Sequence, residues 1–279
     1  MLCPETECLV GKLALVTGGN RGIGLEITKG LAKRGADVIV AARGNVDTHA
    51  QCRQISVETG RRISFLALDL ADKDSIADAV LEHKWQGHNG TIDIFCANAG
   101  ISETKCRRNN EGIELCFSVN CLGHHRLFEA FMASDCLDQD ARIIFTTGDI
   151  YVLSDDCTPD FAFRGRSVSA YSRSKLGNLW QHYEVTTRYP NLVCVAVHPG
   201  VVATELEGKI DGIVGFFKRR LMISPFLGAQ ATLIAATQDL PSGTYFHNKL
   251  GCMKLRAGDE ANNDQKRSVF WEALSASSR

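Results

Sequence analysis

Residues Lys12 to Gly24, KLALVTGGNRGIG, constrain the fold more tightly than any other stretch. Leu13-Ala14-Leu15-Val16 is an apolar run of the length of a buried strand, and it ends at Thr17. Glycines follow at 18, 19, 22 and 24, and Ile23, Ile27 and Leu31 then recur at helical spacing. Between a strand and a helix, a glycine turn lets backbone N–H groups and the helix N-terminus approach a phosphate with no side chains in the way. The spacing is G-x-x-x-G-x-G, through Gly18, Gly22 and Gly24, rather than the commoner G-x-G-x-x-G. Spacing alone would also suit a plain turn; the flanking elements make it read as a phosphate-binding turn.

The same alternation continues along the chain. Apolar runs at Asp37–Ala42, Ile63–Leu68, Ile92–Ala97, Arg142–Thr147 and Leu192–Val197 predict five further strands. Helical spacing predicts helices over 46–58, from an Asp72 cap to Trp85, over Glu111–Ser134 and over Ser169–Tyr189. A weaker strand signal lies at Thr244–Phe246. Strands that are continuously apolar, rather than alternating, belong to a parallel sheet covered on both faces. The expected fold is therefore α/β, a doubly wound parallel sheet in one domain over 1–279, with ligands at the carboxyl ends of the strands. Thr17, Arg43, Asp69, Asn98, Thr147 and Pro199 fall at those ends.

Bulk properties exclude several classes. A formal net charge of -1 gives no electrostatic basis for binding nucleic acid. No apolar run approaches the ~18 residues of a membrane span, and the N-terminus lacks the pattern of a secretory signal. The eleven cysteines are scattered, several of them in apolar runs, with no C-x-x-C pair and no zinc-ligand spacing. A reduced, cytoplasmic protein with no structural metal is expected. His83, His88, His124 and His125 read as structural or surface residues.

Tyr171 and Lys175 stand four apart on one helical face. A free tyrosine titrates near ~10, and a neighbouring cation favours its phenolate, each tenfold gain needing about 1.4 kcal/mol. The pair makes sense as a general acid/base, although a Y-x-x-x-K is also common on solvated helices. Its position beside other motifs decides the reading. Thr17-Gly18-Gly19-Asn20-Arg21-Gly22-Ile23-Gly24, Asp69-Leu70, Ala97-Asn98-Ala99-Gly100, Asn120, Tyr171 with Lys175, and Pro199 to Thr204 occur in the order of the short-chain dehydrogenase/reductase family, which this chain resembles over nearly its whole length. Gly112-Ile113-Glu114, Val119 to His124, Ser174 to Asn178, His198 to Val202 and Ser242 to Phe246 resemble its retinol-dehydrogenase-like branch.

The resemblance implies a Rossmann-type domain, with a dinucleotide-binding part over about 10–200 and a substrate-binding segment over about 201–279. It implies hydride transfer between a nicotinamide and an alcohol or carbonyl substrate. Tyr171 would exchange the proton with the substrate oxygen, Lys175 would lower the tyrosine pKa and hold the nicotinamide ribose, and Asn120 would tie a water relay to the lysine. Asn120 also shares an apolar helical face with Cys116 and Phe117, where an amide needs a partner, so a satisfied core amide is the alternative. Carried over position by position, the cofactor contacts are Gly18, Asn20, Arg21, Gly22, Ile23 and Gly24; Arg43; Asp69 and Leu70; Asn98, Ala99 and Gly100; Tyr171 and Lys175; and Pro199, Gly200, Val202 and Thr204. An NAD enzyme places a carboxylate after strand two, where this chain has Ala42 and Arg43; a guanidinium suits a 2′-phosphate, so NADP(H) is expected over NAD(H), with Arg21 as a second cation. A homodimer through the helices carrying Asn120 and Tyr171 is the assembly the family suggests.

One position departs from the family. Aligned on Arg142-Ile143-Ile144, its catalytic serine falls at Gly148, followed by Asp149. Losing one such donor typically costs ~10²–10³ in rate. Thr146 or Thr147 could supply a hydroxyl, or Ser154 or Thr158 could fold back from the loop. Alternatively the protein is an NADPH-binding sensor or scaffold with weak or no turnover. Asp149 reads either as a turn cap or as a group recognising a cationic or hydroxylated substrate. Substrate identity is expected in 148–168 and 203–227, where Ile213, Val214, Phe216, Phe217, Leu221 and Met222 suggest either a lid for a small hydrophobic substrate or a packed amphipathic helix.

Overall fold

The computed structural model describes residues 1–44, 46–85, 90–102, 105–154, 156–157, 167–200 and 223–278. The core begins with β1 (Leu13–Thr17), every residue of which is buried, and α1 (Gly22–Lys33). There follow β2 (Asp37–Ala42), α2 (Val46–Thr59), β3 (Ile63–Ala67), α3 (Lys73–Trp85) and β4 (Ile92–Ala97). Next come a short α4 (Leu115–Phe117), a π-helical turn (Ser118–Leu122), α5 (Gly123–Ala133) and β5 (Leu137–Thr146). A 3-10 turn (Asp149–Leu153), α6 (Ser167–Arg188), β6 (Val193–His198), α7 (Pro225–Thr237), β7 (Thr244–His247), β8 (Gly251–Met253), a second 3-10 turn (Glu260–Asn262) and α8 (Asp264–Ser277) complete the described elements.

The strands form one sheet in the order β3-β2-β1-β4-β5-β6-β7-β8. All neighbours are parallel except β7 and β8. Strand order reverses direction between β1 and β4, and such a switch point opens a crevice at the carboxyl ends of the strands. One face packs on α1, α2 and α7 through Ile27, Leu31, Ile55 and Leu233; the other packs on α3, α5, α6 and α8 through Ile76, Phe131, Val185 and Trp271. Burial on both faces is the physical reason for the continuously apolar strands.

The structure amends the expected elements in three places. The helix expected from Glu111 starts at Leu115, where Glu114 caps it by accepting from the N–H groups of Cys116 (3.0 Å) and Phe117 (2.7 Å). It then widens into the π turn around Asn120, a break that apolar periodicity does not register. β5 begins five residues early: Leu137 pairs with Ile92 and a register shift separates that pair from the main ladder, so the polar Asp138–Asp140 segment carries no strand pattern. The sheet is also not wholly parallel, because the three-residue β8 closes its edge as a hairpin with β7, too short to show a period. Among the described residues no helix is long and apolar enough to cross a membrane, and no cysteine is in a disulfide.

Candidate active site

The carboxyl ends of β1 to β6 open onto a cavity of about 1100 Å³. Its floor is the glycine turn. Gly18 has φ +65°, the left-handed region that glycine enters without strain. A Cβ on Gly24 would collide with the carbonyl oxygen of Gly18 and stand 2.7 Å from Asn98 Nδ2. Arg21, at the cap of α1, gives the first-turn N–H groups no side-chain cap. Gly18, Asn20, Arg21, Gly22, Ile23 and Gly24 all line the cavity.

Thr17 ties this turn to the β4 end. Its Oγ accepts from the N–H groups of Asn98 and Ala99, both at 2.9 Å, and meets His124 Nε2 at 2.8 Å. Asn98 Nδ2 donates back to the Thr17 carbonyl at 2.9 Å. Asn98, Ala99 and Gly100 are thereby held on the cavity wall. Asp69 and Leu70 line it from the β3 end, with Asp69 Oδ1 accepting from Ala71 N at 2.9 Å. Arg43 lines it from the β2 end, exposed and with no hydrogen-bond or ion-pair partner among the described residues. Arg107 and Arg108 add two cations to the same wall, from a loop whose polar sequence carries no motif.

The chemical end is built by α6. Lys175 is 3% exposed, and its Nζ donates to the Thr146 carbonyl at 3.0 Å and lies 5.5 Å from the centre of the Tyr171 ring. Burial pulls the Lys175 ammonium down to about 8, only partly opposed by the Cys116 and Cys121 thiols. Tyr171, Lys175, Thr146, Thr147 and Pro199 line the cavity together. Gly200 follows Pro199 with φ +90°, whereas Val202 and Thr204 lie outside the described residues, as do Thr158, His88 and the apolar residues 213–222.

Asn120 is fully buried in the π turn. Its Oδ1 accepts from Ile101 N at 2.7 Å, while Nδ2 donates to the Ile101 carbonyl (2.9 Å) and to Ser174 Oγ (3.0 Å). The side chain is thus hydrogen-bonded to the backbone after Gly100 and to α6. It still borders the lysine: a Cβ on Gly100 would stand 3.4 Å from Asn120 Oδ1 and 3.8 Å from Lys175 Nζ.

Two of the hydroxyls that could replace a donor at Gly148 are engaged elsewhere. Thr147 Oγ donates to the Lys175 carbonyl at 2.9 Å, and Ser154 Oγ donates locally to the Asp156 carbonyl at 3.0 Å. Thr146 Oγ is buried without a partner, and the residue lines the cavity. Beside Gly148 the fold gathers a group that sequence reading missed: Asp149, His198 and His247, from the ends of β5, β6 and β7. Asp149 Oδ1 accepts from the Tyr245 hydroxyl at 2.7 Å and lies 3.4 Å from His198 Nδ1, while Oδ2 lies 3.5 Å from His247 Nε2. Only Asp149 and the His198-Pro199-Gly200 run carried a signal; nothing in the sequence pairs His247 with them.

Comparison with known proteins places this geometry. Residues 12–212 match the family pattern described as short chain dehydrogenase. Human retinol dehydrogenase 13 is 30% identical over 290 residues, covering 96% of this chain and 85% of its own. Mouse retinol dehydrogenase 12 is 28% identical over 283 residues, covering 97% and 87%. Among solved structures, an uncharacterised protein from Mycobacterium paratuberculosis superposes with a TM-score of 0.77 at 24% identity, over 98% of this chain and 97% of that one. A short chain dehydrogenase from Escherichia coli CFT073, solved with NADPH, gives 0.71 at 20% identity, over 88% and 100%. The protein therefore belongs to the short-chain dehydrogenase family of NAD(P)-dependent oxidoreductases acting on CH–OH and C=O groups, on its retinol-dehydrogenase-like branch.

Proposed function

We propose that the protein transfers hydride between NADP(H) and an alcohol or carbonyl compound, with Tyr171 exchanging the proton. The observation that carries this reading is the buried Lys175 cation beside the Tyr171 ring in the same cavity as the glycine turn. When bound, the nicotinamide supplies or takes the hydride. The cavity suits such a cofactor: the helix start without a side-chain cap and the close approach at Gly24 fit a pyrophosphate, and Arg43, with no partner among the described residues, fits a 2′-phosphate. Arg21 stands on the same wall as a second cation.

Within that reading, Tyr171 gives its phenolic proton to the substrate oxygen in reduction and takes it back in oxidation. Lys175 remains mainly cationic at neutral pH and favours the phenolate. Asn120 is a positioning residue: its bonds to Ile101 and Ser174 set the strip of chain between Gly100 and α6 on which Lys175 stands.

The test is consumption of NADPH and NADH over a panel of aldehydes and ketones, retinal included. Tyr171→Phe should lower turnover by about 10³ while changing NADPH affinity less than threefold. Unchanged turnover would remove Tyr171 from the chemistry. A second reading, cofactor binding with little turnover, is favoured by Gly148; tight NADPH binding with silence across the panel would select it.

A further inference from the structure

Gly148 has extended backbone, φ -175° and ψ 147°, so a side chain there meets no conformational obstacle. A Cβ would stand 3.6 Å from Cδ2 and 3.8 Å from Nε2 of His198, in ordinary contact, with no other described atom within 4 Å. Among the described residues, apart from the flanking Thr147 and Asp149, only the Cδ2–Nε2 edge of the His198 ring bounds the space that a side chain at 148 would take.

The other edge decides which hydrogen-bonding role Nε2 presents. His198 is 8% exposed, and its buried Nδ1 has no hydrogen-bond partner of good geometry, the nearest acceptor being Asp149 Oδ1 at 3.4 Å. A neutral imidazole facing a carboxylate carries its proton on the facing nitrogen, since a lone pair there would be repelled. Nδ1 is therefore the N–H and Nε2 the lone pair. The charged and titratable groups facing this ring are Asp149, His247 and Lys175, with the Tyr245 hydroxyl on the same carboxylate. Burial outweighs Asp149 and holds His198 down to about 4, so the ring is neutral near pH 7.

His247 is fixed too. Its Nδ1 accepts from the N–H groups of Lys249 (3.1 Å) and Leu250 (3.2 Å), which puts its proton on Nε2, towards Asp149. Asp149, His198 and His247 have a metal-ligand composition, and in these tautomers both rings turn an N–H towards the carboxylate. They form a carboxylate with three donors around it, which turns the His198 acceptor towards the vacant side-chain space.

We propose that His198 Nε2 accepts a hydrogen bond from a hydroxyl on the carbon next to the reacting carbonyl, and that Gly148 leaves the room for it. The substrate class is then an α-hydroxy ketone or aldehyde and the vicinal diol formed by its reduction. The carbonyl carbon gains hydride from NADPH and its oxygen gains the Tyr171 proton, while the neighbouring hydroxyl is retained. This rests on the reading given under Proposed function.

The test compares acetophenone, 2-hydroxyacetophenone and 2-methoxyacetophenone as NADPH substrates. The methoxy compound keeps the electron withdrawal and loses the donor. The wild type should favour hydroxy over methoxy by about 100-fold in kcat/KM, because a site built around a substrate hydroxyl rejects the analogue lacking it. His198→Leu should bring that ratio to about 1, and His198→Gln, which keeps an acceptor, should retain part of it. Gly148→Ser, which fills the space and leaves the ring in place, should also lower the ratio at least tenfold, and covers the case in which the histidine variants fail to fold. A wild-type ratio near 1, or a ratio unchanged in His198→Leu or Gly148→Ser, overturns the proposal. If none of the three ketones is turned over, calorimetry of 1-phenyl-1,2-ethanediol on the NADP⁺ complex separates the two readings. Binding lost in Gly148→Ser keeps the hydroxyl site; no diol binding overturns this inference and leaves the reading under Proposed function to its own panel.

Discussion

Thr17→Val tests how much of the cavity wall hangs on one hydroxyl. His124 Nδ1 faces the Asn120 carbonyl at 3.0 Å, so it carries the proton and Nε2 is an acceptor. The Thr17 O–H therefore donates to His124 Nε2, while its lone pairs accept from Asn98 N and Ala99 N. Valine has the same shape and the same strand preference, and it removes these three bonds together with the 3.2 Å contact of the hydroxyl with the Cys96 carbonyl. Each orphaned group costs ~1–3 kcal/mol, and shared relaxation makes the total less than additive, so a loss of ~3–5 kcal/mol is expected. For a chain of this size that lowers Tm by about 10 °C. Thr17→Ser keeps the hydroxyl and should cost no more than ~1 kcal/mol. Urea unfolding at pH 7, followed by circular dichroism, measures both. The Asn98 to Gly100 wall is released in the valine variant, so NADPH affinity should fall with stability. A valine variant within ~1 kcal/mol of wild type would refute the assigned tautomer and the hub.

Two further outcomes follow from charge. Arg43→Glu should weaken NADPH binding by at least about 10-fold while leaving NADH binding unchanged or improved, since a carboxylate suits a ribose 2′-hydroxyl and repels a 2′-phosphate; equal losses for both cofactors, read by fluorescence titration, would take Arg43 out of the site. Burial lowers His124 to about 4, His125 to about 3 and His182 to about 4, so below ~6.5 the unfolded chain takes up protons that the folded chain refuses. Stability contributed by neutral burial is present in full above pH ~6.5 and drains as pH falls towards 4, by up to about 1.4 kcal/mol per pH unit for each histidine. Urea unfolding should give a stability at least about 3 kcal/mol lower at pH 5 than at pH 7; equal values would show that these rings reach water.

Much of this protein is legible in one dimension because its strands are buried on both faces and its glycine turn is local. The run Leu13–Val16 has to be a strand in any compact fold, and only Gly24 tolerates the approach of the Gly18 carbonyl. The order of motifs from Thr17 to Pro199 likewise places Tyr171 and Lys175 at one end of the sheet before any coordinate is known. Periodicity failed where a single residue breaks a ladder or a helix. The π turn at Asn120 exists because the amide reaches Ile101 and Ser174, contacts 19 and 54 residues away in sequence.

The surroundings of Gly148 separate the two kinds of information most clearly. The sequence by itself determines that no side chain stands at 148 and that an aspartate follows. Which of Thr146, Thr147, Ser154 and His198 faces that space is settled only by packing. Thr147 is drawn to the Lys175 carbonyl, the Thr146 hydroxyl is buried without a partner, and Ser154 closes on its own turn. Lateral pairing of β5, β6 and β7 sets Asp149, His198 and His247 side by side, with the carboxylate facing both rings. Hydrophobic pattern is a local property and survives being read along the chain. The protonation and direction of a buried polar group depend on neighbours supplied by distant strands, so only the folded sheet decides them.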